Sequence, residues 1–192
     1  PISQLPTLNQ VNTVIDATTQ PNWSLGSIVV DGSSTGSAHG FSLSSTVDGF
    51  RLEGIEIRNF SINGILKSGG NSENIQIINN RIHSNNFIGI NLIDVNGGII
   101  DENEIYSNGS QGLSISNVDN SLIQNNYVGT NKSLSAGLGN TANGIFGTAS
   151  NTVFSKNISV DNDDGIELLS SGNNKLIENQ FGTQQTGGNF SR

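Results

Sequence analysis

Apolar residues along this chain come in short runs that alternate with polar ones, and Asn, Gly, Ser or Asp interrupts them about every eight residues. Alternation of this kind marks half-buried strands. No stretch sustains a 3.6-residue period, so the pattern predicts strands throughout, with little helix beyond a short amino-terminal cap. The runs also repeat. Asn80-Arg81-Ile82-His83-Ser84-Asn85 returns in register as Asn103-Glu104-Ile105-Tyr106-Ser107-Asn108 and Asn126-Tyr127-Val128-Gly129-Thr130-Asn131. It comes back again as Asn157-Ile158-Ser159-Val160-Asp161-Asn162 and as Asn179-Gln180-Phe181-Gly182-Thr183. A second phrase, Gly followed by alternating apolar residues, stands behind most copies: Gly64-Ile65, Gly89-Ile90, Gly112-Leu113, Gly144-Ile145 and Gly165-Ile166.

One such unit cannot bury its apolar side chains alone, but stacked units close a continuous core. Short strands at this spacing predict an all-β chain folded as a right-handed, single-stranded parallel β-helix, a β-solenoid of about eight coils of about 23 residues each. A β-propeller requires longer periods, and leucine-rich repeats require a denser Leu pattern. Residues 1–192 read as one domain. Its first part, 1–60, is less regular, with strands at Val14-Ile15-Asp16 and Ser27-Ile28-Val29-Val30-Asp31; residues 61–192 are regular apart from an insertion at 131–142.

The repeat also assigns faces. With Ile82 pointing inward, Arg81 and His83 face water and Asn80 faces in, so Asn80, Asn103, Asn126, Asn157 and Asn179 form an inward asparagine ladder at a turn. Arg81 stacks over Glu104 and Tyr127 as a solvated ladder, worth a few tenths to about 1 kcal/mol. On the Gly-apolar strand the outward column runs Leu66, Asn91, Ser114, Phe146, Glu167. It holds one carboxylate and no base, a poor catalytic row but a usable carbohydrate-contacting face.

Charge and composition narrow the function classes. Sixteen acidic against 8 basic residues give a net charge of −8, which argues against nucleic acid or an anionic membrane as partner. No run is apolar enough to insert in a bilayer. Cysteine is absent, which excludes disulfides, thiolate catalysis and Cys-ligated zinc. The two histidines, His39 and His83, have no ligand spacing. One acidic turn stands out: Asp161, Asp163, Asp164 and Glu167 could together supply oxygens to a Ca²⁺ ion, the one cofactor considered, or could form a solvated turn. Asp163 and Asp164 are also the catalytic candidates, but only as half of a pair whose other half is absent, so no catalytic residue is assigned. Glycoside hydrolysis needs two carboxyls at a defined separation, yet the matching positions ahead of Gly144, Gly112 and Gly89 are Asn143, Gln111 and Ile88. A lyase would need a base near a calcium set, and Lys67 lies coils away from the acidic turn.

The segment from Asn126-Tyr127-Val128-Gly129-Thr130-Asn131 through Ala136-Gly137-Leu138-Gly139-Asn140 to Asn143-Gly144-Ile145 resembles one found in large exported bacterial proteins with right-handed parallel β-helix repeats. The opening Ile15-Asp16-Ala17-Thr18-Thr19-Gln20-Pro21 is similar to the same family, departing at Ala17 where that family tends to have Gly. The resemblance implies a non-catalytic extracellular or cell-surface module, acting as stalk, adhesin or glycan-binding surface and joined to flanking domains of a larger chain. Its partner would be a polysaccharide or cell-surface glycan. The competing reading, by analogy of fold, is a polysaccharide lyase or glycoside hydrolase of the pectin-degrading type. Pro1 without Met, and an ending before the strand due after Phe181, lead us to expect an excerpt of a longer protein.

Overall fold

The computed structural model describes residues 1–182; Thr183, expected in the last repeat, lies outside them. All strand pairs are parallel, and the strands form three sheets that the chain visits in turn. The first sheet holds Val14–Asp16, Arg51–Glu53, Gln76–Ile78, Ile99–Asp101, Leu122–Gln124, Val153–Ser155 and Lys175–Ile177. The second holds Val29–Asp31, Glu56–Arg58, Arg81–His83, Glu104–Tyr106, Tyr127–Val128, Ile158–Val160 and Gln180–Gly182. The third holds Phe41–Leu43, Ile65–Lys67, Ile90–Asn96, Leu113–Asp119, Ile145–Ser150 and Ile166–Gly172, with Ser72–Glu73 pairing onto the far end of Ile90–Asn96. This is the parallel β-solenoid read from the repeat.

The number of coils corrects the expectation. The third sheet counts six coils among the described residues instead of eight, because two coils are long. Val14 pairs with Arg51 across a looped first coil, and Leu122 pairs with Val153 across the insertion. The predicted amino-terminal helical cap is also absent: no helix occurs among the described residues, and Leu8 bridges Leu43 as a single strand-like contact.

The core is a set of columns of like side chains. Leu52, Ile77, Ile100, Ile123 and Phe154 stack from the first sheet, Ile57, Ile82, Ile105 and Val128 from the second, and Ile65, Ile90, Leu113 and Ile145 from the third. All are essentially fully buried. Adjacent strands lie ~4.8 Å apart, so each aliphatic side chain meets its equivalent one coil away, and each contributes about 1.5–3 kcal/mol by leaving water.

At each corner the chain turns through one residue in the left-handed region, where Asn is enriched. Asn79, Glu102, Asn125, Lys156 and Glu178 do so between the first and second sheets, at φ of 50, 56, 51, 54 and 54°. The residue after each is a rung of the expected ladder. Asn80 Oδ1 accepts the Ile55 N–H at 3.0 Å; its main-chain N–H and Nδ2 both donate to Asn103 Oδ1, and Asn103 repeats this toward Asn126, Asn126 toward Asn157, and Asn157 toward Asn179. The Nδ2 groups also donate to main-chain carbonyls, for example Asn103 to Ile77 O at 2.8 Å. Buried amides thus satisfy a bent backbone that strand pairing leaves open.

A second ladder stands at the next corner: Asn85 to Asn108, Asn108 to Asn140, Asn140 to Asn162. The repeat aligned Asn131 with Asn108, but the chain loops out after Gly129 and the rung is filled by Asn140. At the third corner the rungs are Ser121, Thr152 and Asn174, each accepting the main-chain N–H of the residue below.

Candidate functional site

The acidic turn does not converge. Asp161 sits at φ 60° and its Oδ2 accepts the Gly137 N–H at 2.9 Å. Asp164 and Glu167 turn the other way and share Asn143, whose Nδ2 donates to Glu167 Oε2 at 2.8 Å and to Asp164 Oδ2 at 3.4 Å. Asp163 is exposed, with its N–H on Ala142 O. The four candidate calcium ligands therefore divide among three environments. Among the described residues no three His, Asp or Glu side chains are placed to hold one metal ion. Asp163 and Asp164 stand exposed on a turn, and Asn143 lies between Asp164 and Glu167.

The outward column on the third sheet is in register as read: Leu66 pairs with Asn91, Asn91 with Ser114, Ser114 with Phe146 and Phe146 with Glu167. Lys67, which the sequence sets coils away from the acidic turn, is tied into the fold. Its side chain is fully buried, with Nζ donating to Gly70 O, to Ile93 O at 2.9 Å and to Asp94 O at 3.4 Å. Burial pushes its pKa below the ordinary lysine value, while Asp94 and Asp48 act in the opposite direction.

The outer face of the second sheet is less solvated than the sequence implies. Arg81 Nε donates to Glu104 Oε2 at 2.7 Å and its Nη1 lies 3.4 Å from Glu56 Oε2, while Arg58 bridges Glu56 and Asp31. Glu56 and Glu104 are only 7% and 3% exposed at the side chain. The cover comes from two segments outside the repeat. Gly26, in the loop of the first coil, sits against Glu56 and Arg81, and Lys132 in the insertion donates its main-chain N–H to Glu104 Oε1. His83 stacks on Tyr106 with ring centroids 4.8 Å apart, and its Nε2 lies 3.4 Å from Glu56 Oε1. Burial holds the His83 imidazole below its ordinary pKa and the Tyr106 phenol above its own. Every carboxylate here is engaged by an arginine, so the row is a structural clasp.

A concavity that repeat reading missed lies at the far end of the long third-sheet strands. It is an open groove of about 440 Å³ lined by Asn71, Glu73, Asp94, Asn96, Asn117 and Asp119. Two polar columns build it. Asn71, Asp94 and Asn117 stack in one, and Glu73, Asn96 and Asp119 in the other, on either side of the inward Ser72, Val95 and Val118. The depression arises because Asp94 and Asn117 both adopt left-handed φ, 56 and 53°, inside a strand, which bends the sheet. Beneath the bend the buried Lys67 ammonium donates to the carbonyls of Ile93 and Asp94. Asp94 is fixed in turn: Oδ1 accepts Asn117 Nδ2 at 2.9 Å and Oδ2 accepts the Gly70 N–H at 3.0 Å, which together hold its carboxyl below the usual carboxylate range. The signal was present in the sequence as Asp94-Val95-Asn96 beneath Asn117-Val118-Asp119, polar on both sides of one apolar residue.

No curated protein and no solved structure matches the chain. The family model for a right-handed β-helix region matches residues 8–181, nearly all of the stack described above. The chain belongs to the right-handed β-helix family.

Proposed function

We propose that this β-helix is a non-catalytic binding module whose third-sheet groove holds a hydroxyl-rich ligand of the glycan class, in the extracellular or cell-surface setting that the sequence resemblance implies. The observation that carries this reading is the groove's pair of polar columns. Carboxamides and carboxylates alternate along both, so each coil presents a donor and an acceptor to a ligand lying along the axis. The ~4.8 Å step between coils is close to the length of a pyranose ring, which lets successive sugars meet equivalent groups. A stalk or adhesin role uses the same stacked architecture, with binding on one face and rigidity from the core.

The pectin-degrading reading has less support. The second-sheet carboxylates are engaged by arginines, and the carboxylates of the acidic turn are spread over separate partners. The test is a glycan array with the full chain, with and without Ca²⁺, beside a reducing-sugar release assay on pectin and alginate. Binding that Asn117→Leu abolishes, with no sugar released, supports the module. Sugar release lost in Asp164→Asn would establish the enzyme instead.

A further inference from the structure

Four Asn-Gly pairs occur in the chain, at Asn63-Gly64, Asn96-Gly97, Asn108-Gly109 and Asn143-Gly144. An Asn-Gly pair is prone to spontaneous deamidation because no side chain on the glycine hinders its main-chain nitrogen from reaching the asparagine Cγ. At three of the four, the fold removes that freedom. Asn63, Asn108 and Asn143 are 3%, 1% and 9% exposed. The Asn63 Oδ1 accepts the Ile88 N–H, the Asn108 carboxamide bonds to both Asn85 and Asn140, and the Asn143 Nδ2 donates to Glu167. Turning any of these carboxamides over the following nitrogen breaks hydrogen bonds that are buried at Asn63 and Asn108 and part-buried at Asn143.

Asn96 differs. It is exposed at the rim of the groove, and its side chain meets one protein group, the Asn120 Nδ2 that donates to its Oδ1 at 2.7 Å, itself at an exposed corner. The Gly97 N–H donates to Asp119 O at 2.9 Å, as the other three glycines donate to neighbouring carbonyls. Releasing it at Asn96 opens a surface bend, whereas releasing any of the others displaces a buried asparagine.

We propose that Asn96 is the chain's site of spontaneous deamidation. The Gly97 nitrogen attacks Asn96 Cγ; the new C–N bond forms as the C–Nδ2 bond breaks, and ammonia leaves carrying the proton from the Gly97 nitrogen. Water then opens the succinimide at either carbonyl, leaving aspartate or isoaspartate. Either product puts an added carboxylate between Glu73 and Asp119 in the same column, and isoaspartate also lengthens the main chain there. The reaction changes the groove's charge without any enzyme, and it stands whether or not the groove binds glycan.

The experiment incubates the intact chain in mildly alkaline buffer, in native conditions and in urea, and follows each Asn-Gly peptide by mass spectrometry with isoaspartate detection. In urea all four sites should react at comparable rates. In the native chain Asn96 should react at least about tenfold faster than Asn63, Asn108 or Asn143, reflecting the smaller cost of opening a surface bend. Asn96→Gln should remove the native signal while leaving the urea signal at the other three. Native deamidation at Asn96 as slow as at the buried three, or equally fast at all four, overturns the proposal.

Discussion

Asn103 Oδ1 accepts two hydrogen bonds from the residue one coil away, the main-chain N–H of Asn80 at 3.0 Å and its Nδ2 at 3.2 Å. Both donors are buried; an apolar rung would orphan the Asn80 N–H, whereas the Asn80 Nδ2 keeps the carbonyls of Leu52 and Ile78. The Asn103→Leu chain should therefore lose about 1–3 kcal/mol, the cost of one buried donor left unpaired. Urea unfolding against Asn86→Ala, an exposed residue beside the second ladder, provides the comparison; a change in the latter should stay within about 0.5 kcal/mol.

The Gly-apolar phrase has a steric cause that makes a second prediction. A Cβ on Gly112 would come within 2.6 Å of Val128 Cγ1, 2.8 Å of Asn140 Nδ2 and 2.9 Å of the Gly144 carbonyl. The chain enters the third sheet here so close to its neighbours that no side chain fits. Gly112→Ala should cost about 1–3 kcal/mol, the usual range for overpacking, read as a lower urea midpoint with an unchanged slope.

Lys67 ties the sheet bend to the groove. Lys67→Met keeps the stem's bulk and removes the ammonium from Gly70, Ile93 and Asp94 carbonyls, which should destabilise the chain by about 1–3 kcal/mol. Hydrogen exchange should locate the loss at residues 93–96, with the first sheet unaffected. Uniform loosening of every coil would contradict the local role given to this side chain.

Stability should also depend on pH through His83. Burial lowers its folded pKa, so on acidification the unfolded chain takes up the proton first, and stability falls as pH drops below the ordinary imidazole value of about 6.5. Glu56, Arg58, Arg81 and Tyr106 surround the ring, and the two arginines reinforce the neutral form. His83→Gln should flatten this part of the stability profile in a series of urea midpoints. At lower pH a separate loss remains in both chains, because Asp31, held well below the usual carboxylate range by the Ser33 N–H and Arg58, must then be protonated.

The inward columns could be read from the sequence because their period and side-chain type coincide: Ile82 over Ile57 and Asn103 over Asn80 need only the repeat. What escaped depended on segments that do not repeat. Glu56 and Glu104 look solvated in one coil taken alone and become buried because Gly26 and Lys132, from irregular loops, lie across them. Asn140 was masked by Asn131, an equally suitable residue that the chain meets first. The groove was hidden for a different reason. Asp94 and Asn117 sit in left-handed φ inside what alternation marks as straight strand, and a two-residue period carries no record of a bend.

The looped-out segment before Asn140 has a further consequence. The stack asks of each turn only that it deliver the next rung, so whatever lies between Asn131 and Asn140 is free in length provided the chain returns to fill that place. This corner is where new sequence can be accepted without disturbing the hydrophobic interior, and so where relatives sharing the same interior can come to differ in what they display.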